Sequence, residues 1–159
     1  MDMLVKLYAL QDDHELQQKM RDQGIIIRRP LAPEKQKVID WVKENFSMGW
    51  QSECDMCFAN SPVSVFVAVK EGKIVGFACY SSVAREFFGP TGVAKDERGQ
   101  KIGTALLFAA LHAMRNEGYG YAIIGGAGPQ DFYMKTVGAV PIEGSEPGVY
   151  YSLMKYDAK

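Results

Sequence analysis

The segment from Ile102 to Met114 is apolar on almost every side of a helical projection, and it constrains the fold more than any other feature. A helix on a protein surface keeps one polar face, whereas a helix that is apolar all round is covered on more than one side. The rest of the chain must therefore surround this helix. With 159 residues, the chain can build one domain with a real core and has no room for two full ones.

The order of the other patterns indicates a mixed α/β sheet with helices on both faces. A stretch at 47–62 has no clear period, so we expect a long loop there, of the kind that is often functional. Before the apolar helix we predict, in chain order, an edge strand at 4–10, a helix from 12 or 13 to about 23, a strand at 25–29, a helix from Pro33 to about Phe46, a hairpin at 64–69 and 74–80, and a strand at 86–93. After it we predict a buried strand at 121–124, a short helix at 129–137 and a last strand at 149–154.

The strand predicted at 86–93 is interrupted by Gly89, Pro90 and Gly92. Proline cannot donate a hydrogen bond to a sheet, and glycine often marks a bulge or a close backbone approach. We therefore expect this strand to lose regular pairing near its C-terminal end.

The charge and the cysteine content limit the possible binding partners and the cellular compartment of the protein. The formal net charge of -1 gives no global reason to expect nucleic acid or an anionic membrane as a partner. The N-terminus lacks the pattern of a secretory signal, and no apolar run approaches the ~18 residues of a membrane span. Three cysteines, an odd and low number, argue against a disulfide framework, so we expect a cytoplasmic protein. Cys54-x-x-Cys57 has no second pair, and both histidines lie far away, so we predict no metal site.

The segment from Val93 to Leu107 passes from the interrupted strand, through a charged turn, into the apolar helix. Glycines let a backbone approach a ligand closely, and the first N–H groups of a helix attract anions. Arg98 and Lys101 add fixed cations, so the turn suits a phosphate or pyrophosphate. From the residues alone, an ordinary strand-to-helix turn with solvated charges remains an equal alternative, and the spacing matches neither the Walker loop nor the three-glycine dinucleotide pattern.

Val93, Arg98 and Gly103 have the spacing of the acyl-CoA-binding motif of the GNAT superfamily of N-acetyltransferases, which this segment resembles. Lys101 departs from the pattern, because it stands where the first glycine of the motif is usual. The resemblance implies that the turn and its flanks bind acetyl-CoA as co-substrate. The residues implied are Gly92, Val93, Arg98, Gly99, Gln100, Lys101, Ile102, Gly103 and Thr104.

The resemblance extends over about residues 25–156. Gly24–Arg28 is similar to the first strand of the family, Lys73–Phe77 to its hairpin, and Phe132-Tyr133-Met134-Lys135 to a segment of its last helix. It implies a GNAT-like α/β fold with a mostly antiparallel sheet, two splayed central parallel strands that admit the pantetheine arm, and helices on both faces. We expect residues 1–24 to be a strand–helix extension and 25–159 to be the acyltransferase domain.

The resemblance also implies the chemistry, which is direct attack of an amine on the acetyl thioester. Tyr133 matches the position of the general acid of the family, although the residues alone favour a packed aromatic with its hydroxyl at the surface. Glu86, just before the splayed strand, is a candidate base, with a solvated strand-end charge as the alternative. Glu53 is a second candidate carboxylate for the substrate site.

The sequence leaves several candidates for the acceptor side of the site. Trp50, Phe58 and Tyr80 are candidates to line an acceptor pocket, although an ordinary core role explains each of them as well. The expected partner is a small-molecule or peptide amine, and a homodimer is left open. Two other functions compete: a non-catalytic module that binds acyl-CoA for regulation, and acetylation of protein N-termini or lysines, which needs a groove open at both ends.

Overall fold

Seven strands form one sheet in the computed structural model, which describes residues 1–155. The strands are β1 (Met3–Lys6), β2 (Ile25–Arg28), β3 (Val65–Lys70), β4 (Lys73–Tyr80), β5 (Phe87–Val93), β6 (Tyr121–Ile124) and β7 (Val140–Pro141). Their order across the sheet is β2-β3-β4-β5-β6-β1-β7. Every neighbouring pair is antiparallel except β5 and β6, which run parallel. The predicted mixed and mostly antiparallel sheet is confirmed.

Helices cover both faces of this sheet, as predicted. They are α1 (His14–Asp22), α2 (Lys35–Asn45), α3 (Met48–Cys57), α4 (Ile102–Asn116) and α5 (Gln130–Val137). On β4, Phe77 packs in the core cluster beneath α2 and α3, whereas its neighbour Ala78 packs in the cluster beneath α4. Successive side chains of a strand point to opposite faces, so β4 is buried on both sides.

Helix α4 is central to the larger core, and most of its apolar side chains are buried. It lies close against β4 because Gly76 has no side chain: a Cβ there would lie 2.9 Å from Leu106 Cδ1. The helix that is apolar all round is thus covered by the sheet, by α1 and by the N-terminal strand, whose Met3 and Val5 belong to the same cluster.

The central strands part where the sequence predicts a loss of pairing. β5 and β6 are in register only at Phe87 with Ile123 and Phe88 with Ile124. Gly89 follows with φ 117°, a conformation that L side chains rarely adopt. Beyond it, within residues 1–155, β5 pairs with β4 but not with β6, which confirms the splay of the two parallel strands.

The stretch at 47–62 is not a loop, which corrects our prediction. Most of it is α3, whose first turn is capped by Ser47, since the Ser47 hydroxyl accepts a hydrogen bond from Trp50 N at 3.1 Å. Trp50, Cys54 and Cys57 lie on one side of α3, at i, i+4 and i+7, and pack in the same core cluster, with Glu53 beside them at the edge of a cleft. The stripe is hard to recognise in the sequence because Met48 and Met56, which are also apolar, are exposed on the rest of the helix.

Two strand predictions at the chain ends are also wrong. The strand expected at 149–154 is absent: Gly148–Tyr150 form a 3₁₀ turn, and 151–155 hold no strand. The N-terminal strand is not at an edge, since it lies between β6 and β7 and gives way to a 3₁₀ turn after Lys6. The local pattern marks a strand, but the order of strands depends on partners more than 100 residues away. The division into 1–24 and 25–159 stays a prediction, and the final four residues lie outside the described chain.

No helix in residues 1–155 combines the length and the hydropathy that a membrane crossing needs.

Candidate active site

Two adjoining cavities follow β5 across the molecule. The first, which we call the outer cleft, has a volume of about 660 Å³ and lies against the turn between β5 and α4. The second, the inner cleft, has about 370 Å³ and occupies the gap where β5 and β6 part. The residues common to both are Trp50, Thr91, Gly92, Val93, Gly103 and Phe132. Because the two cavities adjoin along these shared walls, we treat them together as one site, which we call the passage.

The turn between β5 and α4 has two left-handed residues, Gly99 with φ 84° and Lys101 with φ 64° and ψ 18°. Lys101 therefore has the backbone conformation that a glycine would adopt most easily. Arg98 Nε donates to Val93 O at 3.2 Å, which ties the turn to the end of β5. Helix α4 begins directly after Lys101.

Glu97 stabilises the same turn through the hydrogen bonds of its side chain. Its carboxylate accepts hydrogen bonds from Gln100 at 2.9 Å and from Lys70 at 3.1 Å. These two donors, Gln100 first, hold the pKa of the Glu97 carboxyl below its usual value. The side chain of Gln100 thus turns back into the protein. Of the nine residues predicted to bind the cofactor, Gln100 alone does not line the outer cleft.

The start of α4 is suited to an anion. The first N–H groups of a helix lack partners within the helix, and they lie at the positive end of its dipole. Gly103 leaves space beside them, because a Cβ there would meet only Val93 Cγ2, at an ordinary 3.6 Å. A ligand phosphate can therefore approach the backbone closely.

The inner cleft is suited to a slim, extended group. Its walls are mainly apolar, and the edge of β5 that faces it has backbone groups without partners in β6. Gly92 also admits the ring of Phe46, whose Cε1 lies 2.7 Å from the place that a Cβ would take. The passage fits a ligand with phosphates at one end and a narrow arm that pairs with a strand edge at the other.

Tyr133 lies at the inner end of this passage, in the first half of α5. Only 6% of its surface is exposed, and its ring packs edge-on against Phe88 with centroids 6.4 Å apart. Burial raises the pKa of Tyr133 to about 12, so its hydroxyl is protonated at neutral pH. No hydrogen bond joins that hydroxyl to another residue within 1–155, which leaves it available to a ligand.

Glu53 lies in a third cavity of about 190 Å³, which we call the side pocket. The side pocket shares Trp50, Phe88 and Pro90 with the inner cleft, so it adjoins the passage. Glu53 is half-buried, and burial raises the pKa of its carboxyl despite a hydrogen bond from Tyr150 Oη to Oε1 at 3.4 Å. A carboxylate in this position can bind a cation or accept a proton.

The structure does not bring the remaining candidates to the passage. Tyr80 is 1% exposed, and its hydroxyl accepts from Arg29 at 2.8 Å and donates to Glu117 at 2.6 Å. It borders a separate surface cavity, and burial, more than Glu117, raises its pKa to about 12. Phe58 packs against the core. Glu86 is exposed, with φ 67°, and lines none of the three cavities above.

Several lining residues were missed by the sequence reasoning, among them Phe46, Tyr150 and Phe132. Phe46 was read only as part of the apolar face of α2, and Tyr150 as part of a strand. Phe132 could have been found, since it directly precedes Tyr133 and its ring lies 5.1 Å from the Tyr133 ring. Among residues 1–155, no group of three or more His, Cys, Asp or Glu side chains is arranged to hold a metal ion.

The family model described as "Acetyltransferase (GNAT) family" matches residues 35–138. None of the curated proteins matches the chain in sequence.

Three solved structures illustrate the likeness in fold. A GCN5-related glucosamine N-acetyltransferase region of a fungal multi-domain GH3 beta-N-acetylglucosaminidase has a TM-score of 0.70 and 17% identity, over 86% of this chain and 19% of that protein. A GCN5-related N-acetyltransferase from Sphaerobacter thermophilus has a TM-score of 0.68 and 21% identity, over 87% of this chain and 47% of that one. A GNAT family acetyltransferase from Brucella melitensis, in complex with acetyl-CoA, has a TM-score of 0.51 and 17% identity, over 70% of this chain and 80% of that one. The chain thus spans about a fifth and about half of the lengths of the first two proteins.

Proposed function

Because the chain belongs to the acetyltransferase (GNAT) family, we propose that it transfers the acetyl group of acetyl-CoA to the amine of a small molecule or peptide by direct attack. The observation that carries this proposal is the pair of adjoining clefts that leads from the turn at Lys101 to the buried hydroxyl of Tyr133. Acetyl-CoA, when bound, supplies an activated acetyl thioester. The Brucella protein of similar fold binds acetyl-CoA, which agrees with the proposal.

The turn holds the phosphates in this proposal. The N–H groups at the start of α4 donate to the pyrophosphate, and the cations of Arg98 and Lys101 lie beside it. The unpaired edge of β5 holds the pantetheine arm, and the N–H of Val93 donates to the thioester oxygen. Gln100 contributes by fixing Glu97 rather than by contact with the ligand.

The acceptor amine must be neutral before it attacks. An amine with a pKa of ~10.4 costs about 4.6 kcal/mol to deprotonate at pH 7, and a base in the site can share that cost. We assign this role to Glu53, because its half-buried carboxylate lies in a pocket that adjoins the inner cleft. Glu86, the other carboxylate predicted for the role, is exposed outside the passage. Trp50 forms a wall that the side pocket and both clefts share, so it can align the acceptor.

Tyr133 acts as the general acid in this scheme. Because its pKa is raised to about 12, it keeps its proton at neutral pH and can donate it to the departing thiolate. Its packing against Phe88 holds the ring in place without any contribution from the hydroxyl. The ring and the hydroxyl therefore have separable roles.

The test is Tyr133→Phe, which keeps the ring and removes the proton donor. We expect kcat for thiol release from acetyl-CoA, measured with a panel of amines, to fall by about 10²–10⁴. Affinity for acetyl-CoA, measured by calorimetry, should stay the same. Tyr121→Phe is a matched control, since Tyr121 is 45% exposed on β6 and should be silent. Full activity of Tyr133→Phe would eliminate the acid role.

The same assay separates the enzyme from the alternative function. If acetyl-CoA binds to the wild type but no amine supports turnover, the chain acts as a non-catalytic acyl-CoA-binding module. If acetyl-CoA does not bind, both proposals fail.

A further inference from the structure

The side pocket around Glu53 contains a carboxylate but no basic group. Its other walls are formed by aromatic, small and neutral polar residues: Trp50, Ser82, Val83, Phe87, Phe88, Gly89, Pro90, Gly125, Gly126 and Tyr150. Within residues 1–155, no Lys, Arg or His side chain lines it. Arg98 and Lys101, the cations of the passage, line the outer cleft and neither the inner cleft nor the side pocket. A ligand in the side pocket therefore meets a single charged side chain of the described chain, and that charge is negative.

A second carboxylate lies behind the wall of the side pocket. Asp2 Oδ1 accepts a hydrogen bond from the N–H of Gly126 at 2.8 Å, and Gly126 lines the pocket. Burial first, and then Glu53 and Asp2, raise the pKa of Tyr150 to about 12, so the Tyr150 hydroxyl is uncharged at neutral pH. The α-amino group of the chain lies 3.5 Å from Glu146 and does not line the pocket. The electrostatic potential in the side pocket is therefore negative, which favours a cation and opposes an anion.

The side pocket is also compact and partly apolar. Its volume of about 190 Å³ is smaller than the roughly 300 Å³ at which pockets for drug-sized ligands begin. The ring of Phe87 lies against the backbone of Gly125, where a Cβ would be 2.9 Å from Phe87 Cδ2. Trp50 adds a second aromatic side chain, and aromatic faces attract both apolar groups and ammonium ions. The pocket therefore suits a small amine with an apolar body.

We propose that the side pocket binds the acceptor and selects small primary amines without a carboxylate over amino acids. This inference rests on the proposed function, because it concerns the acceptor of that acetyl transfer. Glu53 attracts the ammonium of such an amine, and the aromatic walls contact its apolar body. A carboxylate on the acceptor would lose its hydration beside Glu53, with no cation among the described lining residues to replace the lost water.

Val83 is the position at which this selection can be changed. It lines the side pocket, carries no charge and is 39% exposed, so a longer side chain can be accommodated there. Val83→Arg places a cation at the wall of the pocket, where it can pair with the carboxylate of an amino acid. Val140→Arg is the matched control, because Val140 is 46% exposed on β7 and lines neither the side pocket nor the passage.

The experiment compares acceptors that differ only by a carboxylate. The pairs are phenethylamine with phenylalanine and butylamine with 4-aminobutyrate, and kcat/KM is measured by thiol release from acetyl-CoA. We expect the wild type to prefer the carboxylate-free member of each pair by about 100-fold or more, since a like charge close to Glu53 is strongly unfavourable. Val83→Arg should reduce this preference about tenfold, mainly by raising kcat/KM for the carboxylated member. Val140→Arg should keep the preference of the wild type.

Each other outcome overturns the inference in a recognisable way. Equal kcat/KM within the pairs, or a preference for the carboxylated members, would show that the acceptor carboxylate is tolerated. A preference that Val83→Arg leaves as large as Val140→Arg does would place the selection outside the side pocket. Turnover of peptide amines but of none of these four would overturn the inference, while the proposed function would stand. No turnover of any amine would overturn both. Thermal melting shows whether Val83→Arg is folded, and Val83→Lys supplies the same charge if it is not.

Discussion

Lys101→Gly should make the protein more stable and its cofactor site weaker, which is an unusual pair of effects for one substitution. Lys101 has φ 64° and ψ 18° at the start of α4. A residue with a side chain pays roughly 1–2 kcal/mol to adopt this left-handed conformation, and glycine pays almost nothing. The penalty is present in the folded state only, so its removal stabilises the fold.

The unfolded chain offsets part of this gain. Glycine makes the unfolded state more flexible, which costs about 0.4–1 kcal/mol. The net stabilisation expected for Lys101→Gly is therefore about 0.5–1 kcal/mol, or about 1–4 °C in Tm for a domain of this size. The loss of the ammonium should weaken acetyl-CoA binding by roughly 1–3 kcal/mol if the lysine contacts a phosphate.

Two variants separate the backbone effect from the charge effect. Lys101→Ala loses the charge but keeps the strained conformation. It should therefore bind acetyl-CoA more weakly and with a smaller dependence on salt concentration, without a rise in Tm. Glu71→Gly changes a residue with φ 51° in the β3–β4 hairpin turn, away from the clefts, so it should raise Tm and leave affinity unchanged. The measurements are thermal melting without ligand and calorimetry with acetyl-CoA. A lower Tm for Lys101→Gly, beside a higher one for Glu71→Gly, would refute the reasoning.

Three further predictions address the turn, the acceptor side and the fold. Gly103→Ala should keep or raise Tm, since its Cβ would meet only Val93 Cγ2 at 3.6 Å, but should reduce the Tm shift caused by acetyl-CoA; a normal shift would contradict the site. Glu53→Gln should lower kcat/KM about 100-fold. In the wild type, the acidic limb of the kcat/KM pH profile should lie at higher pH than for an ordinary glutamate, because burial raises the pKa of Glu53, and the variant should lack this limb. An unchanged kcat/KM would exclude Glu53 as the base. Arg28 holds the pKa of Glu34 at about 2, below the ordinary 4.5, so the stability from this pair is complete above pH 4.5 and lost as the pH falls towards 2. Between pH 4.5 and 2, the free energy of unfolding of Glu34→Gln should therefore depend less steeply on pH than that of the wild type. Equal slopes for the two proteins would contradict the pairing.

Much of the fold and of the turn could be predicted because the signals are local. The apolar pattern of α4, the breakers at Gly89 and Pro90 and the spacing from Val93 to Gly103 each lie within about one element. Periodicity and backbone restriction act over such distances, so the residues themselves impose the helix, the splay and the turn. Eight of the nine predicted cofactor residues line one cleft because they are nearly consecutive in the chain.

The acceptor side was decided by contacts between distant parts of the chain. Glu53 meets Tyr150 across 97 residues. Tyr80, by contrast, is drawn into a network with Arg29 and Glu117, although its pattern in β4 gives no sign of those partners.

By itself the sequence determined the family fold, the apolar helix and the strand–turn–helix that begins it, since these depend on the order of neighbouring residues. Only the tertiary structure decided that α3 is a helix, that the N-terminal strand lies inside the sheet, and which carboxylate borders the passage. The physical reason is that burial, pKa and pocket walls depend on which surfaces pack together, and packing joins residues that no local pattern connects.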